Sequence, residues 1–187
     1  MQPSSKKKAF VAFATPLVFF IPALIAGVFY SRANRVPIKP GTPLPTFHAD
    51  PIGGAPPLEA GVRQALICFS PDCPFCAEEF RQLDEMRARH SGWFSGASAL
   101  HWALITRVDE KSAADFAAGS SLPVYLDAGG AAFSAFHVSR LPYLILVDDK
   151  GILQYAHSGI LGKQDFEHLI ERFYESGSVP TSPFIGG

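Results

Sequence analysis

The chain has no dominant charge. Its 187 residues carry sixteen Lys and Arg against seventeen Asp and Glu, and no block of like charge marks a nucleic-acid footprint. Outside Lys6, Lys7 and Lys8 the balance is mildly acidic, so nucleic acid is not an expected partner. Cysteine is scarce too. With only three, two of them in one short motif, the chain cannot rest on a disulfide framework. A second C-x-x-C and an H-x₃₋₅-H are both missing, which leaves a structural zinc site short of its four ligands. No metal and no separate cofactor are assigned.

A third absence is local: from Ala9 to Tyr30 there is no charged residue. At 1.5 Å per residue this run spans about 33 Å, enough to cross a bilayer. Lys6 to Lys8 precede it and favour residues 1–8 on the cytoplasmic side, although Arg32, Arg35 and Lys39 weaken the asymmetry. A cleaved signal peptide is the rival reading. Its apolar region is about 7 to 15 residues long, and the longer run here favours a single-pass anchor over 9–30. Pro37, Pro40, Pro43 and Pro45 then predict an extended spacer over 31–43. A globular domain is expected over 44–176 and a loose tail over 177–187.

What is present centres on Cys73-Pro74-Phe75-Cys76. An apolar strand, Ala65 to Phe69, leads through Ser70-Pro71-Asp72 into a helix that opens at Cys73 and is expected to reach Arg89. The first N–H groups of a helix lack intrahelical partners and favour negative charge. Thiols placed there, or in C-x-x-C, ionise more readily than the ordinary value of about 8.5 allows. Cys73 is therefore the expected attacking sulfur, with Cys76 one turn behind to resolve a mixed disulfide. Pro74 suits the first helical position. A metal site and two unrelated core cysteines are the competing readings. Cys68, in the strand, reads as a buried small hydrophobe.

Further along, strands are expected at Leu100 to Thr106, Val124 to Leu126, Tyr143 to Val147 and Ile152 to His157. The last two are joined as a hairpin by Asp149-Lys150-Gly151. Helices are expected at Glu110 to Ala118, after Gly129-Gly130, and finally where Phe166, Leu169, Ile170 and Phe173 repeat at i, i+3, i+4 and i+7. Short edge strands and turns fit the Gly- and Pro-rich stretch from Phe47 to Leu58. Alternating strands and helices predict a mixed sheet covered on both sides.

C-x-x-C at a strand-to-helix turn, Leu122-Pro123-Val124-Tyr125-Leu126-Asp127, and Leu141-Pro142 followed by Leu146-Val147-Asp148 and Gly151 together resemble the TlpA/ResA-like thiol-disulfide oxidoreductases. The resemblance covers about 44–176. It implies an α/β thioredoxin-like fold, a central mixed sheet flanked by helices and preceded by one transmembrane helix. It also implies that Pro142 is the cis-proline beside the redox pair, and that the backbone of Leu141 pairs with a bound substrate strand. Glu79 stands in C-x-x-C-x-x-E, where members carry an acid able to relay the proton of the resolving thiol, although Glu78 is equally available.

There are departures. Asp72 stands where many relatives have Trp, and Ile67 where thioredoxins have a buried acid. Pro74-Phe75 is similar to the Pro-aromatic dipeptides of glutaredoxins and disulfide-forming enzymes, and both residues are expected to contact substrate. Of the six histidines, His137 and His157 are the two whose segments approach the motif. The implied activity is exchange with cysteine-containing proteins outside the cytoplasmic membrane, as a reductant. Apocytochrome c or a metalloenzyme under assembly would be the substrate, and a membrane thiol reductase the electron donor. The alternatives are an oxidase or isomerase, and a copper-delivering Sco-like factor, which needs C-x-x-x-C.

Overall fold

A computed structural model describes residues 38–179. The expected anchor over 9–30, most of the spacer and the tail from Pro180 lie outside the described residues. Among the described residues no helix is long and apolar enough to cross a membrane.

Six strands form one sheet: β1 (Asp50–Ile52), β2 (Gln64–Phe69), β3 (His101–Thr106), β4 (Val124–Leu126), β5 (Tyr143–Val147) and β6 (Leu153–Ser158). Their order is β1-β4-β3-β2-β5-β6. β2, β3 and β4 run parallel, while β5 lies antiparallel to β2, β6 to β5 and β1 to β4. The sheet is therefore mixed, as expected. The parallel strands are joined by α1 (Pro74–Arg89) and α2 (Glu110–Gly119), the long crossovers that parallel neighbours require. A short α3 (Ala131–Ala135) precedes β5, and α4 (Lys163–Ser176) follows β6.

Alternation along the central strands builds two cores. Ala65, Ile67 and Phe69 of β2 point to one face with Trp102, Leu104, Leu144 and Leu146. Leu83 and Met86 of α1 and Phe166, Leu169, Ile170 and Phe173 of α4 cover that face, as the helical spacing of the last four predicts. Leu66, Cys68, Ala103, Ile105 and Ile145 point to the other face, beneath Phe133 and Phe136. Every residue of β2 is buried, in keeping with the apolar run from Ala65 to Phe69.

The stretch expected as a spacer is partly bound to the sheet. Gly41 N–H donates to Leu153 O at 2.7 Å, Leu44 N–H to Gly151 O at 2.9 Å, and Pro43 bridges Ile152. A proline can sit at such an edge because no ladder donor is asked of it.

Candidate active site

The turn after β2 puts Cys73 at the N-cap of α1. Its N–H donates to Ser70 O at 3.1 Å, its φ and ψ of −88° and 113° are extended, and Pro74 begins the helix. The backbone N–H of Cys76 donates to Cys73 Sγ at 3.4 Å, the capping contact that a serine or aspartate makes elsewhere. Cys73 is half-buried, whereas Cys76 is sealed in the core. Burial, followed by the contact with Cys73, pushes the Cys76 thiol up to about 12. The two sulfurs are thus inequivalent: one meets solvent and the other is held back as a thiol.

The loop ahead of β5 closes over this turn. The Leu141–Pro142 peptide is cis, and Pro142 is buried with its carbonyl accepting from Gly159 N–H at 2.8 Å. The S–H of Cys73 reaches the Leu141 carbonyl at 3.9 Å. Leu141 makes no backbone–backbone hydrogen bond among the described residues, and its half-buried side chain packs against both cores. On the helix side Pro74 is exposed and Phe75 is 60% exposed, the large apolar side chain most open to solvent among the described residues.

Helix rotation sends the two neighbouring acids of α1 to different surroundings. Glu78 turns outward and binds Arg81, while Glu79 is buried at 2% exposure. Burial alone raises the Glu79 carboxyl to about 8, and its Oε1 has no hydrogen-bond partner. Cys76 feels that carboxyl. Gln82, absent from the residues expected at the site, is buried too. Its place three residues after Glu79 and six after Cys76 was the available signal.

The remaining candidates differ in their burial. Asp72 is exposed. Cys68 lies fully buried on the opposite sheet face, its thiol driven upward by burial and then by Asp127. His137 is half-buried at the end of α3 with φ 54°. His157, on β6 opposite Leu144, is pushed down by burial against the contrary pull of the Ile160 carbonyl. Among the described residues no three His, Cys, Asp or Glu side chains are grouped to hold a metal ion.

No family model matches the chain, and no curated protein does. Solved structures match well. A proposed thiol:disulfide interchange protein DsbE of Chlorobium tepidum aligns with a TM-score of 0.60 at 20% identity, over 73% of this chain and 99% of that one. A proposed protein disulfide isomerase of Bacteroides thetaiotaomicron gives 0.60 at 18%, over 74% and 89%. A hypothetical protein of Sinorhizobium meliloti gives 0.62 at 16%, over 79% and 90%. These likenesses define the class of fold: the described domain is thioredoxin-like.

Proposed function

We propose that the protein is a thiol-disulfide oxidoreductase that reduces disulfides of other proteins outside the cytoplasmic membrane, to which residues 9–30 tether it. One observation carries the reading: a half-buried sulfur at a helix start that receives the Cys76 N–H at 3.4 Å and lies 3.9 Å from the Leu141 carbonyl. The Cys73 thiolate attacks one sulfur of a substrate disulfide. That S–S bond breaks, and its electron pair leaves on the second substrate sulfur, which takes a proton from solvent. Cys76 then passes its proton to solvent through the Glu79 carboxyl, which takes it on one oxygen and releases its own from the other, and attacks Cys73 Sγ. The mixed disulfide opens, and the other substrate sulfur leaves and is protonated. The substrate gains two electrons and two protons, and Cys73–Cys76 becomes a disulfide.

The Leu141 backbone is the docking edge for an extended substrate segment, and Pro74 and Phe75 add apolar contact. A membrane thiol reductase restores the dithiol. Apocytochrome c or a metalloenzyme under assembly is the substrate this chemistry serves.

The test is a trap. In membranes, Cys76→Ser accumulates Cys73-linked mixed disulfides with partner proteins and Cys73→Ser does not; their absence from Cys76→Ser overturns the reading. Direction is read by acid-quenched alkylation in cells, where the pair is expected as dithiol. A pair found as disulfide makes the protein an oxidase instead.

A further inference from the structure

The inner face of α1 carries a polar ladder that exchange uses only in part. Cys76, Glu79 and Gln82 follow one another at intervals of three, and all three are buried. Side chains so spaced are neighbours on a helix. Two atoms of the ladder, Oε1 of Glu79 and Oε1 of Gln82, have no hydrogen-bond partner. A buried oxygen left unpaired costs about 1 to 3 kcal/mol, and folded proteins keep few of them.

Which end of the Gln82 amide faces which neighbour follows from its other contacts. Its NH₂ group donates to Leu161 O and to Glu78 Oε1, each at 3.5 Å. A backbone carbonyl accepts only, as does an ionised carboxylate, so turning the amide over would face oxygen with oxygen at both places. The carbonyl is the end left without a donor. Three positions apart on one buried helix face, an unpaired carbonyl and an unpaired carboxylate repel each other unless a proton lies between them.

We propose that Gln82 is a positioning residue whose carbonyl accepts the O–H of Glu79, directly or through one bridging water, and so stores a proton one helical turn from the Cys76 sulfur. The proposal rests on the exchange function above. The elevated Glu79 carboxyl agrees with it, since no charged group of any element packed on α1 contributes to that shift, and an acceptor for the neutral form pushes the same way. Cys76 is the titratable neighbour that feels Glu79. The stored proton has a use in the recharging step. A donor thiolate attacks Cys73 and breaks the Cys73–Cys76 bond; Cys76 leaves with the electron pair and takes the Glu79 proton. Solvent then reprotonates the carboxylate.

Infrared difference spectroscopy on the full-length protein tests this. The carbonyl stretch of protonated Glu79, identified by its loss in Glu79→Gln, is expected at pH 6 at the lowered frequency of a carboxyl that donates a hydrogen bond. Gln82→Met, which keeps length and removes the carbonyl, is expected to move the band up to the frequency of an unbonded carboxyl. A wild-type band already at that unbonded position overturns the proposal without any variant, as does a band that Gln82→Met leaves in place. Neither result touches the Cys76→Ser trap. Failure of the trap removes exchange and leaves the Glu79 band to be read on its own.

Discussion

The Cys73 sulfur and the Leu141 carbonyl oxygen are 3.9 Å apart although 68 positions separate them in the chain. Antiparallel pairing brings them together. Cys68 faces Tyr143 across β2 and β5, so the residues just beyond β2 and those just ahead of β5 emerge at the same end of the sheet. In the proposed exchange, a peptide laid along Leu141 meets the Cys73 sulfur.

Accessibility separates the three thiols. Cys73 is half-buried, whereas Cys68 and Cys76 are both fully buried. Brief treatment of the native, reduced protein with iodoacetamide is expected to add one carbamidomethyl group, at Cys73, and unfolding in guanidinium to expose the other two. Peptide mass spectrometry reads both results. Two adducts on the native protein would contradict the burial of Cys76.

Glu79 makes stability depend on pH. Its carboxyl ionises near 8 in the folded protein against an ordinary value of 4.5, so between those values the folded state binds more protons than the unfolded one. Stability is then full below about pH 4.5, falls as pH rises through the window, and levels off above about 8. Glu79→Gln, which imitates the neutral acid, is expected to remove that slope and to stabilise the protein by on the order of 1 to 3 kcal/mol near pH 7. Urea midpoints measured from pH 4.5 to 8.5 check it.

Phe75 offers exposed apolar area two residues from Cys73. Phe75→Ser is expected to lower kcat/KM for a protein disulfide by roughly five- to thirtyfold, the equivalent of about 1 to 2 kcal/mol of apolar contact. Turnover of a small aromatic disulfide should hardly change. Equal losses on both substrates would assign Phe75 to the structure of the helix start.

His137 holds a left-handed backbone, φ 54°, that suits glycine. His137→Val is expected to be less stable than His137→Gly by about 1 to 2 kcal/mol, because a branched side chain resists that conformation most. Thermal unfolding of the pair gives the ranking, and a more stable valine variant would contradict the assigned backbone.

Legibility in the sequence followed the range of the interactions. β4 and β5 appear where Val124 to Leu126 and Tyr143 to Val147 were expected, each an apolar run following a proline. α4 buries the four residues its spacing selected. Helical period turns Glu78 toward water beside Arg81, where it is found, whereas the full burial of Glu79 depends on the sheet that covers α1. Gln82 was overlooked because a polar residue in a helix ordinarily faces water, and only the burial of α1 on its inner side makes it matter. The pairing of β1 with β4, and of Gly41 and Leu44 with the β5–β6 turn, depends on contacts far apart in the chain. In isolation the proline-rich stretch looks merely extended.

That last pairing has a mechanical consequence. Gly41 and Leu44 are fastened where β6 begins, at Leu153 and Gly151, while Pro142 bonds to Gly159 just past the end of the same strand, next to Cys73. A pull applied at Gly41 and Leu44 would thus be borne where β6 begins, a whole strand's length from Pro142 and Cys73, and the mouth of the site would be left unburdened.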